Sequence, residues 1–194
     1  MNNTTNNKSK KYNPEYHFLI EELKLKNTRE CFVEMNYKQL ESFYNHYNIK
    51  NFKYEPLNKQ FTNILNVIYK YKNYHSSSTE KITWFLNIKN TYESLSKITF
   101  IKFKNPTIYF EYLVGNNRID TLIEYKNNFV IIEYSFLKNI SLKLKLEQKQ
   151  EQISNYKNKL QAIFPNKKIY TTIFLSNEKS TIIRSIKIIK KGLK

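Results

Sequence analysis

The sequence predicts a mixed α/β (α+β) fold in which a long helix packs against a β-sheet. A helical pattern over residues 79–98 comes first, and a series of β-branched and aromatic segments follows it. Apolar residues then recur at spacings of 3, 4 or 7, which indicates a helix of about six turns that Pro165 ends. Because helices and strands follow one another in this order, the expected core is a sheet with helices packed on it. The apolar positions of the long helix are Leu142, Leu146, Ile153, Tyr156, Leu160 and Ile163.

The N-terminal part of the chain is expected to hold a tail and a helical region. Residues 1–13 are rich in Asn, Thr and Lys, so we expect a disordered tail. Residues 14–75 are basic and rich in Tyr, and their apolar spacing predicts two to four helices with a break at Pro56. The serine-rich segment 76–79 predicts a linker and the N-cap of the next helix. We therefore assign the core to residues 79–194.

Turn sequences separate the predicted strands of the core. Asn-Pro, Gly-Asn-Asn and Lys-Asn-Asn mark turns at residues 105–106, 115–117 and 126–128. The three-residue turn at 126–128 predicts a hairpin in which Asp120 pairs near Tyr134. The predicted strands are Thr99–Lys104, Thr107–Val114, Arg118–Tyr125, Phe129–Phe136 and Lys168–Leu175, and a last basic helix is predicted at Glu178–Lys191.

The composition points to an anionic partner. The chain carries 33 Lys and Arg against 16 Asp and Glu, which gives a formal net charge of +17 and a pI near 9.7. A charge of this sign favours polyanions, and nucleic acid is the first candidate. No apolar run approaches the roughly 20 residues that span a bilayer, so no membrane partner is expected. The N-terminal residues have no apolar region of the signal-peptide type, so we expect an intracellular protein.

Residue usage qualifies the charge argument and singles out one position. Lys, Asn, Ile, Tyr and Phe are abundant and have A/T-rich codons, so part of the lysine excess is explained by base composition. Such a composition suits an organelle genome, a mobile element, a parasite or a virus, and it does not choose among them. Asp120 is the only Asp, although Glu has similar codons and is common, and Arg118, one of three Arg residues, precedes it by two positions. We therefore expect the functional chemistry of the chain to lie around Asp120.

Asp120 and Glu133 form the first candidate site. They lie on consecutive predicted strands, and Glu133 faces the same side as Phe129 and Ile131 because side chains alternate along a strand. The predicted hairpin brings the two carboxylates close together. Neighbouring carboxylates repel each other unless a cation lies between them, and Mg²⁺ (or Mn²⁺) accepts carboxylate oxygens while it keeps several waters. A metal ion there polarises a phosphate and activates a water molecule.

The segment GNNRIDTLIEYKNNFVIIEYS, followed by EQKQEQISNY, resembles the PD-(D/E)xK nuclease superfamily over residues 79–176. The resemblance implies a restriction-endonuclease-like αβββαβ core. Asp120 matches the metal-binding Asp and Glu133 matches the acidic residue of the tripeptide, so the resemblance implies that both hold the metal. Gln152 and Tyr156 resemble the QxxxY motif of the RecB-like branch. Two residues match accessory positions of some members, Arg118 in an R-x-D sequence and Glu93 as an additional acid on the helix before the sheet.

The chain departs from the family pattern at one position. The family's tripeptide Lys, which positions the attacking water, is replaced by Ser135, which carries no charge. Lys149 is the best substitute, because it lies in the apolar stripe of the long helix, one turn before Gln152. Lys143 and Lys138 are weaker candidates.

The resemblance implies a metal-dependent nuclease that hydrolyses phosphodiester bonds, with DNA preferred to RNA. Asp120 and Glu133 would hold the metal, and Lys149 would orient the attacking water. Gln152 and Tyr156 would position the helix and contact the phosphates of the substrate.

Two other functions stay open. Loss of the motif Lys also suits a catalytically degenerate protein that still binds nucleic acid, and codon bias also suits a basic assembly or interaction subunit. The candidate residues have structural alternatives as well, namely Asp120 paired with Arg118 and Glu133 in an ion pair with Lys149. Metal binding separates a nuclease from the degenerate protein, and salt-dependent DNA affinity separates that protein from an assembly subunit.

Overall fold

The computed structural model describes residues 12–26, 31–69, 77–137, 141–176, 181–184 and 186–194. Within these ranges, helices and one mixed six-stranded sheet form an α+β fold, in agreement with the predicted class. The predicted tail lies outside the described residues except for Tyr12 and Asn13, and Lys138 also lies outside them.

The N-terminal region comprises α1 (Pro14–Tyr16), a π-helix (His17–Glu22), β1 (Val33–Asn36), α2 (Tyr37–His46), a 3₁₀-helix (Ile49–Asn51) and α3 (Lys59–Tyr69). The prediction that this region holds only helices was wrong at β1. Four residues are too few to show a period of two, and the strand forms because it pairs with the edge of the sheet, Val33 opposite Phe110. Asn36 ends β1 and caps α2, since its side chain accepts a hydrogen bond from the Gln39 N–H at 3.0 Å.

Helix α4 (Ser78–Ser96) begins with a capping box. The Ser77 hydroxyl accepts from the Glu80 N–H, and the Glu80 carboxylate accepts from the Ser77 N–H. This confirms the helix start that the serine-rich segment predicts. The strand predicted at residues 99–104 is wrong, because the chain forms the short helix α5 (Ile101–Lys104) and turns at Asn105, whose φ is 42°.

The rest of the core comprises β2 (Thr107–Val114), β3 (Asn117–Tyr125), β4 (Asn128–Phe136), α6 (Leu142–Ile163), β5 (Lys168–Ser176), β6 (Thr181–Arg184) and α7 (Ile186–Gly192). The sheet order is β1-β2-β3-β4-β5-β6, and β4 pairs with β5 in parallel while the other pairs are antiparallel. These bounds agree with the predicted strands from residue 107 onward and with the predicted long helix. The last helix, predicted at residues 178–191, was wrong at residues 181–184, because these pair with β5 as strand β6. Residues 178–180 and 185 lie outside the described residues.

The register of the β3–β4 hairpin differs from the prediction by one residue. Only Lys126 and Asn127 form the turn, with Lys126 at φ 51°, and Asn128 already belongs to β4. Glu124 therefore lies opposite Phe129. Since loop length sets hairpin register, the shorter turn moves Asp120 from Tyr134 to Glu133.

Helices cover both faces of the sheet. One hydrophobic cluster joins α2, α3 and α4 to one face, where Ile108, Phe110 and Val130 are buried. A second cluster joins α6 to the other face through Ile153, Tyr156 and Leu160. Among the described residues, no helix combines the length and the apolar character needed to cross a membrane.

A candidate active site at a break in the sheet

Three acidic residues lie in one row across strands β2, β3 and β4. The β2–β3 pairs on both sides of the row, Phe110 with Thr121 and Tyr112 with Ile119, put Glu111 opposite Asp120. The β3–β4 register, in which Thr121 lies opposite Ile132, puts Asp120 opposite Glu133. The one-residue shift in the β3–β4 hairpin therefore aligns the two predicted acids, and the β2–β3 pairing adds Glu111 as a third.

The backbone is irregular at this row. Glu111 has φ 54°, a left-handed value that is strained for a residue with a side chain. Strand β2 changes face there, because Tyr109 and Tyr112, three residues apart, both pack on the α6 side. A regular strand presents residues two apart on one face, so the strand turns at Glu111.

Side chains take over backbone hydrogen bonds at the break. The Asn87 amide on α4 donates to the Asp120 carbonyl at 3.2 Å, and Arg118 Nη1 donates to the Glu111 carbonyl at 3.1 Å. The Asp120 N–H donates to Glu133 Oε1 at 3.2 Å, and the Tyr134 N–H donates to Asp120 Oδ2 at 2.7 Å. The carboxylates of Asp120 and Glu133 are thus each held by a backbone N–H of the neighbouring strand.

Lys149 joins the two carboxylates from the opposite side. Its Nζ lies 2.8 Å from Glu133 Oε2 and 3.8 Å from Asp120 Oδ2. Glu133 is fully buried, and the Lys149 side chain is only 14% exposed. Lys149 therefore points from α6 toward the sheet, as its position within the apolar stripe of the helix predicts.

The buried charges act strongly on one another. Burial, followed by the charge of Asp120, raises the pKa of Glu133 to about 8. Burial and the charges of Asp120 and Glu133 also raise the pKa of Glu111 to about 8. Burial opposes the charged form of Lys149, but the two carboxylates hold its pKa above the usual value. Ionising all three acids together is therefore costly unless further positive charge is supplied.

A cavity of about 260 Å³ opens beside these groups. Glu111, Asp120 and Lys149 line it from the sheet and α6, and Ser135 lines it from the end of β4. Its remaining lining residues come from the first half of α4 and from β4: Thr79, Thr83, Trp84, Asn87, Tyr134 and Phe136.

The other residues singled out from the sequence fall into two groups. Gln152 and Tyr156 contact each other, with Gln152 Nε2 donating to the Tyr156 hydroxyl at 2.8 Å, and Tyr156 is buried under α6. They lie one and two turns beyond Lys149 and do not line the cavity. Glu93, the additional acid that the resemblance implies, does not line the cavity. It accepts a hydrogen bond from the Tyr44 hydroxyl on α2, because the cavity side of α4 carries positions 79, 83 and 87.

Sequence reasoning missed Glu111 and Asn87. Glu111 interrupts the apolar run of β2, and Asn87 interrupts the run Trp-Phe-Leu-Asn-Ile in α4 and is 2% exposed. In both cases, a polar residue inside an apolar run was the sequence signal that could have identified the position.

The donor set suits a hard cation in its chemistry but is small. Carboxylate oxygens are the ligands that Mg²⁺ prefers. Within the part of the chain that the structure describes, no group of three or more His, Cys, Asp and Glu side chains is arranged to hold a metal ion.

Comparison with protein-family models, curated proteins and solved structures finds no match.

Proposed function

We propose that this protein is a metal-dependent nuclease that hydrolyses phosphodiester bonds, with DNA preferred to RNA, on a restriction-endonuclease-like core of the PD-(D/E)xK type. The observation that carries the proposal is the approach of Lys149 to Glu133 and Asp120 beside a polar cavity. A carboxylate pair with an adjacent ammonium is the chemical set that the resemblance implies. Here the ammonium comes from α6 instead of from position 135.

Asp120 and Glu133 are the residues that would hold Mg²⁺ or Mn²⁺. The fit rests on their oxygen donors and on the cost of ionising buried acids in one row, which a divalent cation would offset. When bound, the metal would supply a Lewis acid that polarises the phosphate and activates water.

The protein groups have distinct tasks in this proposal. The Lys149 ammonium orients the attacking water and stabilises the charge that develops on the phosphate. The backbone N–H groups of Asp120 and Tyr134 hold the two carboxylates in place. Gln152 and Tyr156 fix the face of α6 that carries Lys149. The net charge of +17 favours binding of the polyanionic substrate.

One observation favours a second candidate, a degenerate nuclease fold that binds nucleic acid without cleaving it. Lys149 already forms a close ion pair with Glu133, and Ser135 provides no second ammonium. An ion pair of this kind neutralises the site without any metal.

Cleavage assays with matched variants test the proposal. Plasmid, linear duplex and single-stranded DNA, and RNA, are incubated with Mg²⁺ or Mn²⁺ and either wild type, Asp120→Asn or Lys149→Met. Glu147→Gln and Lys143→Met are the controls, since both positions are exposed on α6 and neither lines the cavity. We expect cleavage by wild type and by the controls, and loss of at least about 100-fold in either site variant and in EDTA.

Cleavage that survives in Asp120→Asn would overturn the proposal, because the activity would then come from another site or from a contaminant. No cleavage by wild type, together with DNA binding that weakens steeply with salt, would establish the degenerate binding protein instead.

A further inference from the structure

A second cavity lies on the α6 side of the sheet, away from the candidate active site. It measures about 260 Å³ and shares no lining residue with the first cavity. Helix α6 packs on β5 and β4 and, to a smaller extent, on β2, and the cavity lies on the same face of the sheet between β1 and β4, beside the C-terminal end of α6. We call it the aromatic trough, and its lining residues are Glu34, Tyr109, Tyr112, Leu122, Glu124, Phe129 and Phe164.

Two pairs of aromatic rings form the walls of the aromatic trough. The Tyr109 and Tyr112 rings meet edge to face, with centroids 5.5 Å apart and planes at 62°. Phe129 and Phe164 do the same at 5.2 Å and 73°. Both tyrosines and Phe164 are partly exposed. Aromatic rings that surround a cavity at steep angles present several π-faces to one bound group. Because the π-face of a ring is negative, such an arrangement favours binding of a cation.

Among the described residues, the charged side chains that line the aromatic trough are the carboxylates of Glu34 and Glu124. Each of them faces a lysine from outside the lining, Lys26 at Glu34 and Lys167 at Glu124. The Tyr109 hydroxyl donates to Glu124 Oε2 at 2.8 Å, which fixes that carboxylate against the ring. Lys26 approaches Glu34 at 3.4 Å but is 71% exposed, so solvent screens this pair.

The fold itself holds an ammonium at one side of the aromatic trough. Lys167 donates to the Glu124 carboxylate and to the Lys126 carbonyl, the latter at 3.0 Å. Its Nζ lies 4.6 Å from the centroid of the Phe129 ring. A carboxylate and an aromatic face of the trough therefore already bind a primary ammonium inside the protein.

We propose that the aromatic trough is a binding site for an alkylammonium ion, with Tyr109 and Tyr112 as its aromatic walls and Glu34 and Glu124 as its counter-charges. The volume exceeds that of a trimethylammonium group, and the charged side chains that line the trough are acidic, which favours a cation over a phosphate. The site is independent of the proposed nuclease chemistry, so either proposal can fail without the other.

A matched pair of probes tests the role of charge. Choline and its neutral isostere 3,3-dimethylbutan-1-ol have the same shape and differ in charge. Binding is followed by NMR, through the upfield shift of the probe methyl signals and through the ring signals of Tyr109 and Tyr112. We expect choline to bind and the neutral alcohol to bind at least tenfold more weakly.

A second pair of probes identifies the source of the ammonium. N-acetyl-lysine methylamide and N-acetyl-norleucine methylamide differ by the charged amine and represent a side chain of a polypeptide. Tighter binding of the lysine compound than of choline points to a polypeptide partner, and the reverse order points to a free quaternary amine. Either order supports the proposal.

Three variants test the assignment of the walls. Tyr112→Leu removes a ring but keeps apolar bulk, and we expect choline affinity to fall about 3- to 30-fold. Lys167→Met removes the internal ammonium that competes for Glu124 and Phe129, and we expect choline to bind several-fold more tightly. Tyr12→Leu, at a tyrosine that is 73% exposed and outside the trough, is the control and leaves affinity unchanged.

The thermal midpoint of each variant confirms that it is folded. Equal affinity for choline and its neutral isostere would overturn the proposal, and so would choline affinity that is the same in wild type, Tyr112→Leu and Lys167→Met. DNA cleavage is measured in parallel, and we expect Tyr112→Leu to cleave as wild type does.

Discussion

The side-chain amide of Asn87 on α4 donates a hydrogen bond to the backbone carbonyl of Asp120. Helix α4 therefore supplies a hydrogen-bond donor to β3 at the irregular part of the sheet. The same amide donates to Thr121 Oγ1 at 2.8 Å. Two successive residues of β3, Asp120 and Thr121, are therefore hydrogen-bonded to α4 beside the cavity. The Asp120 side chain lies where the pairing of β3 with its neighbouring strands becomes irregular.

Asn87→Ala tests the role of these two hydrogen bonds. We expect the free energy of unfolding to fall by about 1–3 kcal/mol, because the buried Asp120 carbonyl loses its donor. DNA cleavage is expected to fall further than the stability loss explains, since the Asp120 carboxylate loses its fixed position. Urea unfolding and cleavage are measured together. Asn155→Ala, on the exposed face of α6, is expected to change the unfolding free energy by less than about 0.5 kcal/mol. Equal effects of the two substitutions would contradict the assigned role of Asn87.

The pKa of Glu111 predicts how stability depends on pH without divalent metal. The pKa is raised to about 8 by burial and by Asp120 and Glu133, while the unfolded chain ionises near 4.5. Between these values the folded state binds more protons, so the free energy of unfolding falls as pH rises from about 4.5 to about 8. Glu111→Gln removes one contributing carboxyl, so we expect its unfolding free energy to fall less than that of wild type between pH 5 and pH 9, by up to about 4 kcal/mol.

Urea unfolding at pH 5 and pH 9 in EDTA measures this change. Glu151→Gln, at an exposed acid on α6, is the control and should follow wild type at both values. A Glu111→Gln protein whose stability falls with pH as steeply as wild type would contradict the raised pKa of Glu111.

Metal binding is expected to stabilise the folded protein whether or not any substrate is present. At a Mn²⁺ concentration about 100 times the dissociation constant, the gain in unfolding free energy is about 2.7 kcal/mol. Thermal unfolding with and without Mn²⁺ detects it, and Asp120→Asn should show little of the gain. A shift of the same size in both proteins would assign the metal to another place.

Gly192→Ala is expected to destabilise the protein through the packing of α7. A Cβ atom at Gly192 would lie 2.6 Å from Val130 Cγ2 and 3.0 Å from Tyr170 Cδ2, which is too close for either contact. We expect a loss of about 1–3 kcal/mol by thermal or urea unfolding. The double variant Gly192→Ala with Val130→Ala should cost less than the sum of the single changes, because the smaller side chain makes room. Simple additivity would show that the two positions do not clash.

Much of the fold could be predicted because several elements have a strong period. The apolar stripe of α6 and the apolar run of β4 are long and end at turn residues or Pro165. Strand β1 and helix α5 could not be predicted in this way. They are four residues long, and contacts with β2 and with the turn at Asn105 decide their structure.

Part of the site could also be predicted, and the missing part depends on register. The spacing along α6 was enough to bring Lys149 toward Glu133. Glu111 was missed because its place opposite Asp120 depends on how β2 and β3 pair, and the β3–β4 hairpin was shifted because its turn has two residues rather than three. Alternation along one strand defines a face but not the neighbour across it.

The ammonium beside Glu133 comes from α6, the helix that connects the parallel strands β4 and β5. This has a consequence for sequence searches. Lys149 is sixteen positions after Glu133, yet the two side chains meet. In the proposed nuclease this helix supplies the cation, so position 135 carries a small hydroxyl residue without loss of the positive charge. A sequence pattern that requires a lysine two residues after the acid would pass over a chain with this arrangement.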